Sequence, residues 1–214
     1  MNINILSLII FLIILLLILL IILYKSNSYT IREIPNFLSK EECEYIKQLS
    51  TNKLFQSKLF MKDGEGLDNT VRDSKQCWLN DTDDEMIQKL SQRIAKETKI
   101  DISLHEDLQV VKYDSNGFYK PHYDACDSTQ QDTCIDMNKD MGPRYITFII
   151  YLNDDFEGGE TYFPNINKKI IPKMGKAVIF YNVDKKGVIL NKSLHGGLNV
   201  INGEKWIANK WIHL

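Results

Sequence analysis

The chain has 214 residues, 44% of them hydrophobic, and a formal net charge of -2. That length suits one domain with room for a proper core. The near-zero charge leaves out the basic face that nucleic-acid binding needs, so no nucleic-acid partner is expected.

Residues Ile3–Leu23 form an apolar run, INILSLIIFLIILLLILLIIL, interrupted by Asn4 and Ser7. At 1.5 Å per residue such a helix crosses roughly 30 Å of hydrocarbon. It lacks the polar face of a core helix, so residues 1–25 are expected to be a transmembrane anchor of the signal-anchor kind. A polar exit follows, and then Ser39-Lys40-Glu41-Glu42 reads as a capping box: Ser39 can accept from the Glu42 amide while the Glu42 side chain reaches back. Leu38, Cys43, Ile46 and Leu49 continue at helical spacing. Residues 62–76 (KDGEGLDNTVRDSKQ) are polar, contain Gly and show no period, so they read as a loop. A second helix is expected over about Asp83–Thr98, which makes residues 26–105 an N-terminal helical region.

After residue 105 the pattern turns to strands. Leu108–Tyr113, Tyr145–Leu152 (YITFIIYL) and Ala177–Tyr181 (AVIFY) are strand-like. Turns are marked at Glu157-Gly158-Gly159-Glu160 and Pro172-Lys173-Met174-Gly175, and Asn202-Gly203 reads as a hairpin turn. Short strands with regular turns indicate an antiparallel sandwich or jelly roll over 106–214. The class is therefore α+β: a jelly roll with N-terminal helices packed on it, preceded by one transmembrane helix. Cys43, Cys77, Cys126 and Cys134 contain no C-x-x-C pair. Cys126 and Cys134 share a polar stretch; they could bridge in an oxidising compartment or stay free in a reducing one.

Four histidines are present. His105 reads as a surface residue, and His213 shows no partner signal. His122 is followed at i+2 by Asp124, and in an extended segment the two side chains share a side. His195 lies between strand-like runs, ahead of two glycines. Two imidazoles and one carboxylate can hold iron(II) on one face and leave positions open for substrate and dioxygen; zinc can also use such ligands. Lys205 follows across the Asn202-Gly203 turn. If it faces inward, a buried ammonium calls for an acidic ligand, such as the far carboxylate of a dicarboxylic cosubstrate.

Four stretches carry a resemblance: LQVVKYDSNGFYKPHYD (Leu108–Asp124), RYITFIIYLNDDFEGGETYFP (Arg144–Pro164), PKMGKAVIF (Pro172–Phe180) and SLHGGLNVINGEKWIANKWI (Ser193–Ile212). With PNFLSKEEC at Pro35–Cys43 and Arg72-Asp73-Ser74 ahead of Trp78-Leu79, they make residues 31–214 resemble the prolyl 4-hydroxylases of the 2-oxoglutarate/Fe(II) dioxygenase superfamily. The resemblance implies a double-stranded β-helix with His122, Asp124 and His195 as iron ligands. It implies that Lys205 binds the C5 carboxylate of 2-oxoglutarate, with Tyr113 and Thr147 lining that pocket. It also implies O2 as cosubstrate, L-ascorbate to keep the iron reduced, and a proline-containing, collagen-like peptide as substrate.

Asn199 stands where relatives often have proline. The stretch from Ala125 to Pro143 is longer and more polar than in relatives, as a lid would be. Trp78, Arg72 and the 62–76 segment are candidates for the substrate groove. Lys25, Arg32 and Lys40 follow the apolar run and none precedes it, which alone would hold the domain in the cytosol; the resemblance implies the lumen of the endoplasmic reticulum instead. The competing readings are a sister oxygenase acting on a lysyl side chain or a nucleobase, and a membrane-tethered binding module. Release of succinate separates the enzymes from the module.

Overall fold

The structure is a computed structural model that describes residues 4–27, 31–61, 64–126 and 141–213. It forms two compact units, Met1–Ile31 and Arg32–Leu214. The first contains the helix α1 (Ile5–Asn27), with no acidic residue in its first turn. Its side chains are described over residues 7–18, all exposed. Among the described residues no helix is long and apolar enough to cross a membrane. The expected anchor thus draws no support from the fold.

The second unit opens with β1 (Arg32–Ile34), α2 (Lys40–Thr51), β2 (Phe55–Gln56), β3 (Leu59–Met61), β4 (Gly64–Gly66), β5 (Arg72–Asp73), β6 (Lys75–Leu79) and α3 (Glu85–Thr98). It continues with β7 (Leu108–Tyr113), β8 (Phe118–His122), β9 (Arg144–Tyr151), β10 (Glu157–Gly158), β11 (Thr161–Phe163) and β12 (Lys168–Ile170). It ends with β13 (Ala177–Tyr181), β14 (His195–Gly197), β15 (Val200–Asn202) and β16 (Lys205–His213). The larger sheet runs β1-β13-β9-β16-β7-β6-β2 and the smaller β12-β11-β14-β8-β5, with β10–β15 and β3–β4 as two-stranded ribbons. The pairings within both larger sheets are antiparallel. This is the jelly-roll form expected.

Side-chain alternation sorts the larger sheet into two faces. Leu108 and Val110 of β7, Ile146, Phe148 and Ile150 of β9, Ala177 and Ile179 of β13, and Trp206, Ala208 and Ile212 of β16 join one core with Cys43 and Ile46 of α2 and Ile87, Leu90 and Ile94 of α3. The helices cover that face, and the intervening residues look the other way, towards the functional cavity. Each helix starts where its cap dictates. The Ser39 hydroxyl accepts from Glu42 N at 3.2 Å and the Glu42 carboxylate accepts from Ser39 N at 2.8 Å. Asp84 accepts from the amides of Met86 and Ile87. Gly175 ties α2 to the sheet: its amide donates to Tyr151 O and its carbonyl accepts from Leu38 N.

Two expectations are corrected. The 62–76 segment is not a plain loop, because it contains β4 and β5 and the start of β6. Arg72 and Asp73 pair with Tyr119 and Phe118, and β6 pairs with β7. Strands of two or three residues are too short to display a period of two, so only their partners reveal them. The helical region before residue 105 is accordingly a mixture of helices and strands. Asn202-Gly203 does turn the chain, with Gly203 at φ 86°, but it closes no hairpin. β15 pairs with β10, whereas β16 pairs with β7 and β9. The turn hands the chain from one sheet to another.

Candidate active site

β8 and β14 are neighbours in the smaller sheet, and their register places His195 opposite His122. Asp124 follows two residues after the end of β8. The ligand atoms of His122, Asp124 and His195 lie within 4.8 Å of one another. His122 Nε2 is 3.5 Å from Asp124 Oδ1, and His195 Nε2 is 3.6 Å from Asp124 Oδ2. His122 Nδ1 lies 2.8 Å from Lys120 O and His195 Nδ1 lies 3.0 Å from Ser193 O. A carbonyl can only accept, so each Nδ1 carries the proton and each Nε2 lone pair is free for a metal. The His122 ring stacks on Tyr119 at 3.6 Å, and His195 sits edge-on to Phe180 at 4.7 Å.

The electrostatics suit metal ligands. Burial alone would raise the Asp124 carboxyl, but the imidazoles of His195 and His122, with Arg144 further off, hold it well below the usual carboxylate range. Burial drives His195 down to about 4 against the opposing pull of Asp124, so its ring is neutral at physiological pH. The donor set of two imidazoles and one carboxylate fits iron(II).

Lys205 begins β16, opposite Tyr113 of β7. It is 2% exposed, and its ammonium stands 5.0 Å from the Tyr113 ring and 6.0 Å from that of Tyr151. Burial lowers its pKa to about 7, opposed only by the distant charge of Glu160. Among the described residues no carboxylate pairs with it. A buried cation aimed into a cavity without an anion fits the far carboxylate of a dicarboxylic ligand.

Thr147 is placed differently from the reading that put it beside the cosubstrate. Its hydroxyl donates to Asp124 Oδ2 at 2.6 Å and accepts from Asn182 Nδ2 at 2.8 Å. The threonine that lines the cavity is Thr161, at the start of β11, paired with Gly197 and hydrogen-bonded by the Tyr151 hydroxyl at 2.7 Å. Sequence reading took the GGE ahead of Thr161 as a turn and stopped there. The residue after that turn was the signal available.

The sequence profile of the 2OG-Fe(II) oxygenase superfamily matches residues 108–213. A protein of Acanthamoeba polyphaga mimivirus that carries a prolyl 4-hydroxylase name is 38% identical over 181 residues, covering 82% of this chain and 71% of the relative. Prolyl 4-hydroxylase 1 of Arabidopsis thaliana is 37% identical, covering 83% and 66%. The crystal structure of the viral collagen prolyl hydroxylase of Paramecium bursaria Chlorella virus-1 in its 2OG complex superposes with a TM-score of 0.69 at 32% identity, covering 87% and 97%. The chain belongs to the prolyl 4-hydroxylase family of the 2OG-Fe(II) oxygenases.

In this oxygenase the triad and Lys205 open into one cavity of about 720 Å³. Beyond them it is lined by Arg72, Trp78, Arg144 and Trp211, which gives two of the groove candidates, Arg72 and Trp78, a place in its wall. Arg72 donates from Nε to Ser74 and lies 4.7 Å over the Tyr119 ring. Arg144 grips Glu106 through Nη2 at 2.8 Å and through Nε, and lies 3.8 Å over Trp211. Two histidines behave otherwise than the sequence indicated. His213 is buried, with Nε2 2.9 Å from Glu106 Oε1 and Nδ1 2.7 Å from Gly142 O. His105 is half-buried with neither ring nitrogen bonded, and burial lowers it to about 4. Cys126 also lines the cavity and is disulfide-bonded, whereas Cys43 and Cys77 are free and buried. Cys134 and most of the expected lid lie outside the described residues.

Proposed function

We propose that this protein hydroxylates proline in peptide substrates at C4, converting 2-oxoglutarate and O2 to succinate and CO2 in the same turnover. The observation that carries the reading is the sharing of one cavity by the His122–Asp124–His195 triad and Lys205, which no carboxylate pairs with among the described residues. His122, Asp124 and His195 would hold iron(II), which when bound supplies the redox chemistry that joins dioxygen to 2-oxoglutarate. Lys205 pairs with the C5 carboxylate in a setting that Tyr113, Tyr151 and Thr161 keep dry, where an ionic hydrogen bond is strong. Arg144 and Trp211 at the far end, with Arg72 and Trp78, would seat the peptide, whose proline-rich, extended backbone leaves its carbonyls free for such donors. L-ascorbate is the expected reductant for iron oxidised without substrate, and a collagen-like chain is the expected substrate class. Incubation with proline-rich peptides tests the reading. Hydroxyproline by mass spectrometry, one for one with succinate, is the expected result; succinate with hydroxylysine instead would move the chain to a sister activity.

The same proposal places the enzyme on a membrane through residues 3–23, facing the endoplasmic reticulum lumen. It is supported by the apolar α1 sequence and by the disulfide at Cys126, a bond that persists in oxidising compartments. In sealed microsomes the domain should resist added protease until detergent is present. Digestion without detergent would assign it to the cytosol.

A further inference from the structure

We infer that Thr147 and Asn182 form a buried positioning relay that orients two of the three ligand side chains, Asp124 and His195. The inference rests on the reading of the triad as a metal site and concerns how the fold holds it ready. A carboxylate turns easily about its last torsion, so a ligand carboxylate needs a fixed partner to keep its oxygens in place. Thr147, inside β9, donates to Asp124 Oδ2 at 2.6 Å. A threonine has one proton to give, and an ionised carboxylate can only accept, so that proton must point at Asp124. Asn182, directly after β13, enforces the direction: its Nδ2 donates to Thr147 Oγ1 at 2.8 Å and occupies the lone pair on the other side.

The same asparagine reaches the second ligand through its backbone. Its carbonyl accepts from Leu190 N at 2.8 Å, and the Ser193 hydroxyl gives its one proton to Leu190 O at 2.8 Å. These bonds hold the 3-10 turn Asn191–Ser193. The Ser193 carbonyl in turn accepts the Nδ1 proton of His195 at 3.0 Å. The Asn182 amide is anchored to Tyr145 O at 2.8 Å, so the relay is tied to β9 at both ends. Thr147, Asn182 and Ser193 are each 1% exposed. Bulk water has no access to replace a lost partner, and a cut in the relay leaves a buried group unsatisfied. His122 stands outside it, held by Lys120 O and the Tyr119 ring.

Cobalt(II) titration of the full chain in detergent micelles, followed by absorbance, reads the ligand geometry without turnover. Thermal melting of the metal-free protein is measured in parallel. Thr147→Val keeps the shape and removes the hydroxyl, and cobalt should bind about 10- to 100-fold more weakly, as for other groups that orient metal ligands. Thr147→Ser should restore binding to within about threefold. Asn182→Ala should weaken it in the same direction, and the double variant Thr147→Val/Asn182→Ala should be no weaker than the worse single, because one relay is cut only once. A purely structural pair would lower the melting temperature and leave cobalt affinity of the folded protein unchanged. Native-like cobalt affinity in folded Thr147→Val overturns the inference; if that variant does not fold, native-like affinity in Asn182→Ala does so. Loss of hydroxylation with unaltered cobalt binding would put the relay elsewhere in the reaction and also overturn it.

Discussion

Replacing Lys205 by Met should raise the stability of the ligand-free protein and cripple cosubstrate binding at the same time. The ammonium is 2% exposed, and burial takes its pKa from the ordinary 10.5 to about 7. At 1.36 kcal/mol per unit, keeping it charged costs on the order of 5 kcal/mol of folding stability. The folded pKa is depressed, so this cost is full below about pH 7 and fades as pH rises towards 10.5. Methionine fills much of the same volume without the charge, and below pH 7 the apo variant should melt higher than the native chain. In the complex the carboxylate of 2-oxoglutarate restores the charge its partner, so losing the lysine leaves that carboxylate buried and unpaired, at a cost of several kcal/mol and a KM raised at least about a hundredfold. The native enzyme carries a further signature. Above about pH 7 the free site holds a neutral amine, so binding the dianion must take up a proton, and 2-oxoglutarate affinity should fall by nearly tenfold per pH unit until the pKa of the complex is reached. Calorimetry in buffers of different ionisation enthalpy measures the proton uptake directly. A native KM in Lys205→Met would refute the placement of the carboxylate at Lys205, and binding without proton uptake at pH 8 would show that the lysine of the free site is already charged.

Alanine at His122, Asp124 or His195 should abolish turnover, since each supplies one of three ligand atoms within 4.8 Å; activity should need added iron(II), and succinate release at the native rate by Asp124→Ala would remove the metal from that site. Arg144→Ala strips Glu106 of the guanidinium that, with His213, holds its partly buried carboxylate ionised, and should destabilise the fold by about 1–3 kcal/mol in chemical denaturation. In the same variant the peptide KM should rise while the 2-oxoglutarate KM stays put. Gly175→Ala should lower stability by at least about 2 kcal/mol, because Gly175 sits at φ 75° and a Cβ would fall 2.2 Å from Leu38 O; a thermal melt within about 1 °C of native would contradict it.

The readable parts of this chain were those whose signal is local. The capping box at Ser39 and the His-x-Asp pair each need only neighbouring residues, and the structure forms the cap and brings the pair together. The longer strands were legible as runs rich in β-branched and aromatic residues, which is also a local signal. The site's remaining members depend on contacts between residues far apart in the chain. Glu106 meets Arg144 across 38 positions and His213 across 107. No spacing rule predicts such partners, so His213 looked like an idle residue near the C-terminus. Thr147 and Thr161 show the limit more sharply: both are buried threonines at strand positions, and only the sheet topology sends one to Asp124 and the other to the cavity.

Face parity on β16 would have carried the reading further than spacing did. Once Lys205 is placed inward, residues 207, 209 and 211 must share its face, and Ile207, Asn209 and Trp211 do line the cavity. The even positions must then pack under the helices, where Trp206, Ala208 and Ile212 indeed sit. The same parity sends Lys210 to the helix side, where a lysine would be rejected on hydropathy alone. Its side chain is 0% exposed and bonds Asp81 at 2.8 and 3.0 Å. Burying that ammonium is tolerable only because Asp81, on the turn before α3, is brought back to it from 129 positions away. Alternation thus fixes which way a side chain points, while whether a charge can survive there is decided by a partner that the local sequence does not contain.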